Sequence, residues 1–304
     1  MCTLLFFTAV LLAASSASAA DGGAGFSFRD AGATSLQLEE NGRPVYVYHH
    51  GLILKPGFPD GMSRSSYLHP VYAPDGTVLT DDFNPDHPHH RGISWMWEVV
   101  TVDGQNYDLW TVKGIKSLFV RWRAREAGRD KARLAVENGW FIGSRRVVRE
   151  DVEILAHTRR GDERVLDFDL RLEAVGGPVD IAGTPADKKG FGGFCFRFAP
   201  RDGGREKTVI VTEQGTAAKD GVNEPHRWAA VLGAFQGRAA GGRIDEDPAN
   251  PGYPNNGWLM RHGFGFLNPY FPGLRTHRLE PGKPVRLRYR VTLFNGASVP
   301  PAPK

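Results

Sequence analysis

Three histidines and an arginine crowd the run Asp86-His87-Pro88-His89-His90-Arg91-Gly92, and Trp95 and Trp97 follow at once. Imidazole exchanges a proton near neutral pH and is also a common metal ligand. A guanidinium grips carboxylates and sulfates through a planar fork of donors. His87, His89 and His90 are therefore candidate catalytic groups, together with His69 from the upstream Tyr67-Leu68-His69-Pro70. Arg64 and Arg91 are the candidate anion-binding groups. Asp108, Trp110, Lys189, Arg261 and Asn268 complete the set of expected substrate contacts.

Residues two apart on an extended segment share a face, so His87 and His89 are expected to converge while His90 points away. If a divalent metal were held, His87 and His89 would be its ligands, with Asp86, His69 or Asp82 as a third. The preferred reading is metal-free, with no cofactor. The plainest alternative is a loop that the histidines and Pro88 merely cap by hydrogen bonds. Trp95 and Trp97 fall on one strand face and are expected in the core. Trp110 lies in a Gly/Asp/Asn-rich stretch and is expected to meet ligand or cap a pocket. Phe194-Cys195-Phe196 reads as a buried thiol. No Gly-x-Ser-x-Gly elbow occurs, and Gly263-Phe264-Gly265 lacks the strand-turn-helix context of a phosphate loop.

The elements that must position these groups alternate with period two. Leu166, Phe168, Leu170 and Leu172 oppose Asp167, Asp169, Arg171 and Glu173. Val285, Leu287, Tyr289, Val291 and Leu293 oppose Arg286, Arg288, Arg290 and Thr292. Pro44 to His50, Gly92 to Val102, Leu118 to Ala124 and Gly193 to Ala199 behave alike, and no convincing helix repeat follows the N-terminal apolar run. Such alternation predicts an all-β protein, a large antiparallel β-sandwich with the chemistry on its loops. Lys55 to Ser66 reads as a loop, Ala73-Pro74-Asp75-Gly76 as a tight turn, and Gly237 to Pro254 as a long functional loop. Nothing marks a domain cut, so residues 21–304 are expected to form one domain.

The 304 residues are 41% hydrophobic and 24% charged, a globular composition. The net charge of +4 is scattered, without the lysine-arginine run that tracks nucleic acid. Leu4 to Ala14 followed by Ala17-Ser18-Ala19 reads as a signal peptide over residues 1–20, predicting a periplasmic or secreted protein. Cleavage there removes Cys2 and leaves Cys195 without a partner.

Tyr67-Leu68-His69-Pro70-Val71, the Asp86-to-Gly92 string, Asp108-Leu109-Trp110, Lys188-Lys189-Gly190, Asp247-Pro248-Ala249-Asn250, Trp258-Leu259-Met260-Arg261 and Asn268-Pro269 together resemble the bacterial family labelled PmoA. The mature sequence has no apolar span of about 20 residues, which separates it from the membrane methane monooxygenase subunit of that name. The architecture is similar to the galactose-mutarotase-like supersandwich of aldose epimerases and several polysaccharide lyases. That resemblance implies a small-molecule or oligosaccharide ligand. The expected function is a lyase or epimerase acting on an acidic or oxidised sugar by histidine-mediated proton abstraction. Metal-dependent hydrolysis or oxygenation through His87 and His89, and non-catalytic carbohydrate binding, are the alternatives.

Overall fold

The computed structural model describes residues 25–301, so the expected signal peptide lies outside the described residues. Two nine-stranded antiparallel sheets and a four-stranded one account for the architecture. The first sheet runs, in spatial order, Phe26–Asp30, Ser35–Glu40, Arg43–His49, Tyr67–Val71, Ile93–Met96, Gly193–Arg197, Phe266–Pro269, Trp258–Arg261 and Gly221–Glu224. The second is built around the long strands Val285–Asn295, Glu163–Ala174, Arg145–His157, Lys131–Ile142 and Lys116–Ala127. The described helices are short 3-10 turns, and none is long and apolar enough to cross a membrane.

Alternation sets which face is buried. Leu166, Phe168, Leu170 and Leu172 point inward with Leu287, Tyr289 and Val291, and meet Trp95, Phe194 and Phe196 of the first sheet in one apolar cluster. Trp95 and Trp97 are core residues, as expected. Cys195 is buried on the other face of its strand, where burial pushes the thiol up to about 12 despite its contact with Ser94.

Two expectations about elements need correction. Gly92 to Val102 is not one strand. Ile93–Met96 pairs in the first sheet, whereas Val99–Val102 pairs in the four-stranded sheet. The chain turns at Trp97, whose indole donates to the Phe271 carbonyl while its own carbonyl accepts from Leu109 and Trp110. The first half of the Gly237-to-Pro254 stretch is also ordered sheet, since Arg238–Glu246 is a full strand, and only the second half is loop. Gly241 and Gly242 within that strand mark close packing. A Cβ at Gly242 would press on the Phe196 and Phe198 rings, and one at Gly241 on the Phe294 ring.

Candidate active site

The outward face of the first sheet is roofed by loops. The segment from Asp81 to Gly92 leaves and rejoins it as a closed excursion, with Asp82 bridging Arg91. Asn84 donates to Asp81 (2.7 Å) and accepts from the Asp86 amide, which winds the chain into turns. His90 N–H then closes on the His87 carbonyl at 2.9 Å. Gly92 is required at the exit: its φ is +28°, and a Cβ there would collide with the Leu68 carbonyl.

Because this run is turned and not extended, the expectation that His90 points away is overturned. His87 and His90 stack at 4.8 Å with 14° between their planes, and His89 packs edge-on against His90 at 4.6 Å. Phe266 stacks on the other side of His90 at 4.5 Å, and Phe264 tilts against His87 at 4.5 Å. Trp110 closes the group at 5.7 Å from His90 and 6.4 Å from His89. The His87 and His89 ring centres are 5.7 Å apart at 71°. Among the described residues no group of three or more His, Cys, Asp or Glu side chains is arranged to hold a metal ion.

The imidazoles differ electrically. His90 is buried, which pushes it well below the usual histidine range, and the charges of His89 and Arg197 add to the effect. His89 stays partly open and is lowered to about 4, first by burial, then by His87 and the guanidinium groups of Arg64, Arg91 and Arg197. At neutral pH it is therefore an uncharged imidazole able to accept a proton. Asp86 lies 3.3 Å from His87 and accepts from Arg197 at 2.9 Å. Burial works against the Asp86 carboxylate, but Arg197 and His87 hold it below the usual range.

Several expected substrate contacts have structural tasks. Arg91 is 1% exposed, ion-pairs with Asp82 at 3.1 Å, donates to the Pro88, His90 and Met62 carbonyls, and lies 3.5 Å over the Phe83 ring. It holds the histidine loop and presents nothing to a ligand. Arg64 is buried and donates to Met96 and to the Leu109 and Trp110 carbonyls. The Asp108 carboxylate is taken up by the Thr111 amide and hydroxyl. Trp110 is 3% exposed, so it caps the site without offering an open stacking face. Asn268 is fully buried, and its amide ties Gly192 to Phe194 across the strands.

Of the others, His69 bonds Thr80 at 3.0 Å and belongs to a separate group with His49, Tyr67, Asp82 and Lys55. Lys189 pairs with Asp187 at 2.9 Å, and Arg261 lies 3.7 Å from Asp220. Arg261 does stand opposite Phe266 in register, one strand from the imidazoles. The structure thus gathers His87, His89, His90 and Trp110, and adds Asp86, Arg197, Phe191, Phe264 and Phe266. Arg197 had a legible signal: a lone guanidinium within Phe194-Cys195-Phe196-Arg197-Phe198 breaks an apolar run. It is buried, lies 4.7 Å over Phe264, and its Nε and Nη1 have no partner.

Sheets and site define an all-β protein with an imidazole cluster under the roofing loops of one sheet. The chain belongs to a family of unknown function, DUF6807, whose model matches residues 35–302. The PmoA label finds no support in that match. No curated protein matches the sequence. Solved structures with a similar arrangement include a mutant heparan sulfate lyase from Pedobacter heparinus, at 9% identity and TM-score 0.44 over 90% of this chain. This chain spans only 37% of that lyase's length. A galactose mutarotase related enzyme from Lactobacillus acidophilus is similar at 8% identity and TM-score 0.42, covering 88% of this chain and 97% of its own. A putative mutarotase from Salmonella typhimurium follows at 10% identity and TM-score 0.37, covering 90% and 94%. These likenesses concern fold alone.

Proposed function

We propose that this protein is a carbohydrate-active enzyme acting on an acidic or oxidised sugar, as a lyase or epimerase. His89 takes the proton from the carbon next to a carboxylate or keto group. The observation that carries this reading is the setting of His89, a partly exposed, uncharged imidazole packed against His90 and lying in the field of three guanidinium groups. A base lowered to about 4 is weak at neutral pH. An anionic ligand seated beside it offsets the arginine field, raises its basicity and brings it nearer the working range of a general base. The same field favours the enolate formed on deprotonation. A neutral sugar provides neither effect.

Non-catalytic binding fits less well, because Trp110 is buried and leaves no open indole face for a pyranose. With the N-terminal apolar run read as a leader, the enzyme is exported and meets its oligosaccharide outside the cytoplasm. Arg261, on the strand beside Phe266, is the nearest of the other expected contacts to the approach in this reading.

The test is a screen of uronate-containing oligosaccharides, 3-keto-glycosides and neutral oligosaccharides, with and without chelator. Elimination gives an unsaturated product that absorbs in the ultraviolet. Epimerisation gives solvent deuterium at the carbon next to the carboxylate. His89→Ala is expected to lower either rate by about 100-fold or more while leaving the melting curve in place. Unchanged turnover in that variant removes His89 from the mechanism. Cleavage of neutral sugars that stops with chelator transfers the chemistry to metal-assisted hydrolysis.

A further inference from the structure

We propose that the small, partly enclosed pocket beneath the Trp110 loop is a binding site for one monatomic anion, a halide. The hydroxyl-bearing residues Ser63, Ser65, Ser66 and Ser117 line it with Arg64 and Lys116, and no carboxylate is among the lining residues. The free space at its centre is about 10 Å³, about the least that holds one water, so a halide enters as the flexible Lys116 side chain gives way slightly.

Charge distinguishes those occupants. Arg64 is 7% exposed, yet its partners are neutral, namely two carbonyls and a thioether, and its Nε is buried with no partner. Burial lowers the guanidinium to about 10, so it remains charged at neutral pH. A desolvated guanidinium is normally paired, because an uncompensated charge in the interior is costly. Lys116 adds a second cation whose hydrogen bond goes to the Ser63 hydroxyl at 2.9 Å and not to a carboxylate. That bond leaves the Ser63 hydroxyl proton free to turn into the pocket. Ser65 donates to the Ser117 carbonyl and Ser117 to Ser66, so the wall is already held in shape. Two cations and free donors around a one-atom space favour an anion over water, which neutralises neither charge. The occupant joins the serine segment to the strand Lys116–Ala127. Through Arg64 it also steadies the Leu109 and Trp110 carbonyls that roof the imidazoles.

The test reads melting and not turnover, so it stands apart from the proposed activity. Protein dialysed into sodium gluconate is titrated with sodium chloride or sodium bromide at constant ionic strength. The expected result is a saturable rise in Tm of about 3–6 °C. Lys116→Met, at a half-buried position, should keep the gluconate Tm near wild type and lose most of the halide response. Crystals grown in bromide should show one anomalous peak in the pocket. Equal melting in gluconate and halide leaves a water-filled pocket and overturns the proposal. An equal halide response in Lys116→Met traces the effect to the surface and overturns it too.

Discussion

The outward faces of the two large sheets carry the same residue types under opposite electrostatic conditions. On the second sheet, Asp167 stands opposite Arg290, which stands opposite Asp245, and Arg171 stands opposite Arg286. Arg286 also forks onto Asp169. These pairs lie open to water: the Arg290 and Asp167 side chains are 39% and 28% exposed. On the first sheet, loops cover Arg64, Arg91 and Arg197, and each is less than a tenth exposed. Water screens the first set and is excluded from the second. The open ladder keeps a sheet face soluble. The roofed one fixes a loop and sets the potential around an imidazole.

The largest effect separating the two faces should come from Arg91→Met. Removing this guanidinium leaves Asp82 buried beside Tyr67 with only the 3.9 Å contact to Lys55. A loss of about 3–5 kcal/mol in urea unfolding is expected, as for one partner of a buried pair. A change below about 1 kcal/mol would show that the loop is held by its turns alone.

Acid should also tell the faces apart. Burial, with Lys55 assisting, lowers His69 to about 3, and burial lowers His49 to about 4 against the backbone of His69. Both folded values lie below the unfolded histidine value of about 6.5. The unfolded chain therefore binds protons first as pH falls. Stability present above about pH 6.5 is lost on the way down to about 4 for His49 and about 3 for His69, roughly 3 kcal/mol for the first and roughly 5 kcal/mol for the second. On the open ladder, Asp167 is held below the usual carboxylate range by Arg290 and His157 against the opposing effect of burial, so its contribution goes only below about pH 4. Melts at pH 7, 5.5 and 4.5 should decline steadily, and His69→Asn should flatten that decline. A flat profile from pH 7 to 4.5 would mean the covered imidazoles do not stay neutral.

The smallest effect belongs to the ladder. Arg290→Ala breaks a 2.6 Å contact to Asp167, but the stability change should stay below about 1 kcal/mol and fade in high salt. A larger, salt-resistant loss would mean that the open face is stitched as tightly as the roofed one.

The sandwich was legible because strand alternation is local. Each of Leu166, Phe168, Leu170 and Leu172 declares its face within two residues, and the strand Glu163–Ala174 follows that pattern throughout. The Ala73-Pro74-Asp75-Gly76 turn was legible for the same reason, and Gly76 N–H closes on Ala73 with φ at +93°. The histidine cluster was visible as composition but not as geometry. Asn84 and the Arg91–Asp82 bridge wind the run, and only that winding brings His90 onto His87. Nor could spacing reveal which arginines lose their water, because desolvation depends on loops packed from distant parts of the chain. Gly241 and Gly242 read as a loop until Phe196, Phe198 and Phe294 arrive from other strands to occupy the space a side chain would need. Sequence by itself determined the period of the strands, the turns, and the presence of imidazole and guanidinium groups in quantity. Tertiary structure alone decided which of those groups are roofed, paired or open, since burial and counter-charges come from segments far apart in sequence.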